Sequence, residues 1–430
     1  MNIKSLLLGS AAALVAVTGA RAADAVVVAE PEPVEYVRVC DVYGAGFYYM
    51  PGTETCLKVS GYFRYDIGVG DDGVSDFGRI SVDKRDFLDD ILDNGIIDTT
   101  DTDADGAWYK RARFQLRVDA RSETELGTLR AYLAANFQYT TTQGIETDIE
   151  DQFFVQNQGR NFTSAEDDFA LEHAYLELGG FRAGKTDSLF STFTGYAGGV
   201  IHDDLIPYGP YDTFQLAYTW TGGNGFTAAV ALEDPAGGDD QYYGPVFYTS
   251  DDYVPNVVAG LGWTGGWGGV GVVGAYDAVW EEFAVKARLD VKATEALSLF
   301  IMGGWAEKDE VLINPITLDP IVRRVQTPNY YGGWGGDWAI WGGGTWQVTP
   351  QAAINLQISY DDWENFAAVA NVAYELVPGF TITPEVAYYD NFSDQCFTGN
   401  FGGLCTIDDV TGDGETDSGF GGFLRLQRNF

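Results

Sequence analysis

The sequence predicts an all-β chain closed into a 16-stranded antiparallel transmembrane β-barrel, and three observations carry that prediction. Segments with one oily and one wet face recur at period two, the periodicity of an extended backbone. Their connections alternate between short turns and long acidic loops, which sorts turns to one end of the sheet and loops to the other. After Val17 no stretch approaches the run of about 18 apolar residues that a membrane helix needs. Composition agrees. The 54 Gly, 25 Tyr, 26 Phe and 11 Trp favour strands and turns over helices. A formal net charge of −38 excludes nucleic acid as a partner, because a phosphate backbone needs a basic footprint.

The N-terminus carries Lys4, an apolar stretch from Leu6 to Val17 and then Ala20-Arg21-Ala22. This is the pattern of an export signal over residues 1–22, cleaved after Ala22. Residues 23–56 form a leader, rich in Glu and Pro from Asp24 to Val39, before the barrel of residues 57–430. Export places the cysteines in an oxidising compartment, and their spacing suggests two local pairs, Cys40 with Cys56 and Cys396 with Cys405, while leaving the other two connectivities open. A metal site is a weak rival, since the chain has no C-x-x-C and only two histidines.

The first strand alternates Leu57, Val59, Phe63, Tyr65, Ile67 and Val69 with Lys58, Ser60, Tyr62, Arg64 and Asp66. In the second, Ala112, Phe114, Leu116, Val118 and Ala120 share one face, and Arg111, Arg113, Gln115, Arg117 and Arg121 share the other, with Asp119 the acidic exception. So basic a face in so acidic a chain demands an explanation. Segments Leu129–Tyr139, Phe283–Lys292, Ala352–Asp361, Phe366–Leu376 and Phe380–Tyr388 repeat the pattern. The last, Phe420–Phe430, sets Phe420, Leu424, Leu426 and Phe430 against Phe423, Arg425, Gln427 and Asn429. A barrel's final strand must close on its first, and Arg428 on the apolar face can snorkel to head groups from a strand end. Long connections run approximately 70–107, 141–168, 187–212, 233–254, 307–337 and 390–418, with two short exceptions near Tyr276 and Asp361. A soluble sandwich has no reason to sort its connections in this way.

The stretch from Pro33 to Cys56, followed by Leu57-Lys-Val-Ser-Gly-Tyr-Phe-Arg-Tyr-Asp66, resembles the N-terminal signature of the alphaproteobacterial, Rhizobiales-type general porins. Leu171-Glu-His-Ala-Tyr-Leu-Glu-Leu178, Phe181-Arg-Ala-Gly-Lys-Thr-Asp-Ser188 and the terminal Phe430 extend the resemblance over the mature chain. It implies an outer-membrane barrel, a homotrimer, that passes small hydrophilic solutes and ions by diffusion and is constricted by an inward-folded third loop. Outer-membrane lipid and lipopolysaccharide are then its surroundings.

If that loop folds inward, it brings Asp187, Asp203, Asp204 and Asp212 into the lumen. Counting half-way along each strand places Arg64, Arg113, Arg117 and Arg425 near mid-height, with Arg111, Arg121, Arg130 and Lys58 nearer the rims. Closure makes these one basic wall, and acid facing base creates a transverse field that sorts ions. The plainer reading is a hydrated wall whose charges pair with lumen carboxylates. The acidic field predicts a modest cation preference. No cofactor is expected; divalent cations at the acidic loops are the one candidate. Asp101, Asp103, Asp105 and Gly106 begin like an EF-hand, but Ala112 stands where its bidentate Glu belongs. Asp408, Asp409, Asp413, Glu415 and Asp417 read as a solvated loop. His202 beside Asp203 lacks a positioned nucleophile, so no catalytic residue is assigned. Trp108, Tyr139, Trp220, Trp263, Trp267, Trp305 and Phe430 fall near strand ends and suit interfacial girdles. A barrel enzyme of lipase or protease type and an acidic surface adhesin are the alternatives; two histidines leave little for a Ser/His/Asp constellation.

Overall fold

The computed structural model describes residues 38–70, 108–146, 160–235, 253–313, 323–393, 406–407 and 416–430. Sixteen barrel strands follow one another: β1 (Cys56–Gly70), β2 (Tyr109–Thr124), β3 (Gly127–Glu146), β4 (Arg160–Leu178), β5 (Phe181–Asp187), β6 (Asp212–Thr221), β7 (Phe226–Pro235), β8 (Asn256–Gly265), β9 (Gly268–Asp277), β10 (Glu282–Lys292), β11 (Leu297–Ala306), β12 (Trp338–Thr349), β13 (Ala352–Asp361), β14 (Phe366–Val377), β15 (Phe380–Ser393) and β16 (Thr416–Asn429). Each pairs antiparallel with its sequence neighbours, and β16 pairs with β1, so the sheet has no edge. Closure satisfies every ladder hydrogen bond within the protein, the condition for strands to cross hydrocarbon. The seal continues past β16: Gly61 and Phe430 exchange backbone hydrogen bonds of 3.1 Å, and the Phe430 ring stacks on Phe114 at 5.6 Å.

Burial is reversed relative to a soluble sheet. On β13 the apolar Ile354, Leu356 and Ile358 are 38%, 49% and 45% exposed, whereas Asn355, Gln357 and Ser359 are 5%, 2% and 2% exposed. Such a pattern is stable only if the outer solvent is lipid. Phe63, Phe114, Phe137 and Phe169 stand in one cross-strand row on that outer face. Two aromatic belts border it: Trp108, Tyr139, Trp305 and Trp338 at the loop end, and Trp220, Phe226, Trp263 and Trp267 at the tight-turn end. Short turns connect β2 to β3, β4 to β5 and so on to β14 and β15. In the turn from β4 to β5, Gly179 has φ 59°, and a Cβ there would lie 2.9 Å from the Leu126 carbonyl oxygen. Arg428, on the apolar face near the same end, donates to the Gly379 carbonyl at 3.2 Å.

Between Cys40 and β1 the chain forms a small lobe on the tight-turn side. The Cys40–Cys56 disulfide closes it, with Phe47 buried against both cysteines. Tyr43 donates to Glu123 at 2.7 Å, and Arg121 lies 5.1 Å from the Phe47 ring centroid. The expected Cys396–Cys405 pair, the export signal, the EF-hand-like segment 101–106 and the acidic residues 408, 409, 413 and 415 lie outside the described residues.

Candidate functional site: the pore constriction

The third long connection lies inside the barrel, and its route is dictated by inward-facing side chains of β7 to β15. β5 stops at Asp187 because Ser188 caps helix α1 (Leu189–Thr194), its hydroxyl accepting from the Phe190 N–H at 3.0 Å. Glu233 of β7 accepts from Ser188 Oγ and from the Leu189 N–H, each at 2.6 Å. Further along, Arg288 donates to the Tyr196 carbonyl, Asn371 to the Gly199 carbonyl (3.2 Å), Gln357 to the Asp203 carbonyl (2.7 Å) and Trp341 Nε1 to the Ile206 carbonyl (2.9 Å). Lys286, fully buried, donates to the Tyr208 carbonyl at 2.5 Å and lies 4.7 Å from the Phe190 ring centroid. Glu385 accepts from the Ile201 and His202 N–H groups and lies 2.6 Å from His202 Nδ1.

This side of the lumen is a packed core. Leu189, Phe190, Leu205 and Ile206 are buried, each contributing about 1.5–3 kcal/mol by burial. Small inward residues make room for them: a Cβ on Gly260 would lie 2.6 Å from the Phe193 ring. A second connection folds in as well. In the segment after residue 326, Tyr330, Tyr331 and Trp334 are buried; Tyr331 packs on Phe190 at 5.3 Å and donates to Glu233 at 3.2 Å.

The wall that the loop leaves uncovered is the arginine face. Arg64 and Arg113 are register partners on β1 and β2. Arg64 Nε donates to Gln427 Oε1 at 2.9 Å, Arg113 Nε to Gln138 Oε1 at 2.7 Å, and Arg117 Nε to Gln115 Oε1. All three bond amide oxygens, and among the described residues none pairs with a carboxylate. Arg111 and Arg425 behave differently from the sequence expectation. Both hold the fully buried Asp66, Arg111 at 2.7 Å and Arg425 at 2.8 Å, where the sequence offered no partner for either. Asp66 lies opposite each of them in register, so closure of β16 on β1 builds the triad. For this pair the plainer reading, arginines paired with a lumen carboxylate, is the one realised, although the triad keeps one net positive charge.

The four loop aspartates occupy two places. Asp187 and Asp212 are register partners at the loop base; Lys185 pairs with Asp212 at 2.5 Å, and Tyr196 donates to Asp187. Asp203 accepts from Tyr208 (2.9 Å) and Asp204 from Tyr211 (3.3 Å), while Tyr211 also donates to Tyr208 (2.9 Å). Burial in the loop, reinforced by the neighbouring Asp204, pushes Asp203 up to about 8, and burial raises Asp204 as well. Among the described residues no ion pair joins these aspartates to the arginine wall. His202 is a latch in the loop, bound to Glu385 and edge-on to Phe423 at 4.6 Å.

Sequence reasoning missed Asp66, Lys286, Glu233, Glu385 and Glu172. The first four sit at ordinary inward positions and differ from other polar residues only in what they touch. Glu172 has a local cause: β4 pairs Ala134 with His173 and Ala135 with Leu171, leaving Glu172 as the extra residue of a β-bulge. The bulge turns two successive polar side chains inward, so that Glu172 bonds Asn136 and His173 bonds Thr186. A break in alternation at Leu171-Glu172-His173-Ala174 was the signal available in the sequence.

An edgeless barrel of 16 antiparallel strands, oily outside and polar within, with a loop folded into its bore, is an outer-membrane diffusion channel. The chain belongs to the porin subfamily, whose profile matches residues 24–404. It is 46% identical over 431 residues to Porin Omp2b of Brucella suis biovar 1 (strain 1330), with 100% of both chains covered, and equally similar to Porin Omp2b of Brucella abortus (strain 2308). Among solved structures, the outer membrane channel DcaP of Acinetobacter baumannii shares the fold at a TM-score of 0.56 and 14% identity, over 89% of this chain and 99% of that one. The protein is therefore a porin: a water-filled outer-membrane channel through which small hydrophilic solutes diffuse passively.

Proposed function

We propose that ion selection takes place between the inward loop and the arginine wall, with Arg64, Arg113 and Arg117 as the acting cations and Asp187, Asp203, Asp204 and Asp212 as the acidic side. The observation that supports this most is the contrast among arginines: these three bond amide oxygens, whereas Arg111 and Arg425 share Asp66. A guanidinium without a counter-carboxylate keeps its field in the lumen. Arg111 and Arg425 hold the wall in place and add one net charge. The formal charge of −38 raises the local cation concentration at the mouths, and the channel is modestly cation-selective.

The finer setting belongs to the same proposal. The export signal is removed after Ala22, three copies associate, and lipopolysaccharide surrounds the trimer, with divalent cations bridging to the acidic loops. Purified protein in a planar bilayer tests the core claim. An ohmic conductance with a reversal potential of cationic sign under a salt gradient is expected; an anionic sign refutes it.

A further inference from the structure

Against the loop, on the tight-turn side, lies a cavity of about 560 Å³, within the range of roughly 300–1,000 Å³ typical of small-molecule sites. Its chemistry differs from that of the constriction. Each guanidinium lining it is matched by a carboxylate: Arg130 by Asp119 (2.9 Å) and Glu177 (2.9 Å), Arg182 by Glu177 (2.7 Å), and Arg288 by Asp290 (2.8 Å). Paired planar ions offer donors and acceptors side by side, with little net field to attract an ion. Between them stand aromatic rings. Tyr132 and Tyr175, register partners on β3 and β4, lie 5.1 Å apart, with Arg130 4.6 Å from the first centroid and Arg182 4.9 Å from the second.

We propose that this cavity is a weak binding site for neutral polyhydroxylated solutes, of which sugars are the natural class. Apolar C–H faces rest on the Tyr132 and Tyr175 rings, and vicinal hydroxyls bridge the Arg130–Glu177–Arg182 chain. A charged solute gains little there, because the guanidiniums already hold carboxylates. The channel thus has two stations in series: a charged filter at the loop, and below it a neutral site that raises the residence of uncharged solutes. The proposal rests on the porin assignment; the cavity shares Asp187 with the proposed ion filter but not Arg64, Arg113 or Arg117.

Single-channel recording with maltose as the probe separates the two. With the sugar on the tight-turn side, transient blocks of the open current are expected, with an on-rate indifferent to the sign of the applied voltage. Y132A and Y175A should each raise the half-blocking concentration about 2- to 10-fold, the worth of one aromatic partner. Y175F, which keeps the ring, should stay near the wild-type value, and heat-modifiable gel mobility identifies variants that still form the barrel. R113Q/R117Q should shift ion selectivity and leave the half-blocking concentration alone. Absence of block in the wild type, or unchanged block in folded Y132A and Y175A, overturns the sugar site while leaving the ion filter standing. Loss of block in R113Q/R117Q overturns the separation into two stations.

Discussion

Replacing Arg113 and Arg117 together by glutamine tests the assignment of the ion filter, and the size of the effect follows from their surroundings. Both guanidiniums bond amide oxygens, so each substitution removes a full positive charge without breaking an ion pair among the described residues. An ion passing about 10 Å away in water interacts with one unit charge by about 0.4 kcal/mol before screening. At 0.1 M salt that distance is one Debye length, which reduces the interaction to about 0.15 kcal/mol. Two charges then account for about 0.3 kcal/mol, favourable for an anion and unfavourable for a cation. The difference between the two ions is about 0.6 kcal/mol, a shift of roughly threefold in the permeability ratio towards cations. The assay is the reversal potential in a tenfold salt gradient, repeated at high salt, where the shift should shrink. Because glutamine can still donate to Gln138 and Gln115, the barrel should retain its heat-modifiable mobility. A folded double variant with unchanged reversal potential refutes the filter and makes these arginines a hydrated wall.

Other outcomes follow from the same geometry. Asp203 is pushed up to about 8, so the loop gains negative charge as pH rises through that value; cation preference should increase between about pH 6 and pH 9, and D203N should flatten the reversal-potential profile. In E385Q the Ile201 and His202 N–H groups lose a charged acceptor, a loss of about 1–3 kcal/mol at the latch, seen as increased open-channel noise with barrel thermal stability retained. Reduction of Cys40–Cys56, or C40S, opens a loop of 16 residues without touching the strand ladders; the lobe should become protease-sensitive while the barrel keeps its gel mobility.

The legible part of the site was the part written in alternation. Arg64, Arg113 and Arg117 lie at positions of one parity on strands whose opposite faces are plainly apolar, and the structure places all three inward. Arg425 and Arg111 could be assigned to the lumen but not to each other. Their shared partner Asp66 is 359 residues from Arg425, and nothing between them in sequence records that distance. Glu172 escaped for a different reason: a bulge changes the parity of a strand, and every inference from alternation inherits the error beyond that point.

The sequence alone determined the fold class, the division into tight-turn and loop ends, and the two faces of the strands, because each is a local property of an extended chain between two solvents. It also suggested the Cys40–Cys56 bridge, whose partners are near one another along the chain, and the structure made the choice among the connectivities. Only the tertiary structure decided which arginines keep their field, where the loop lies in the bore and how the cavity beneath it is lined. Those depend on barrel closure and on inward side chains from β7 to β15 meeting one loop. Such contacts depend on register and shape, to which a period of two is blind.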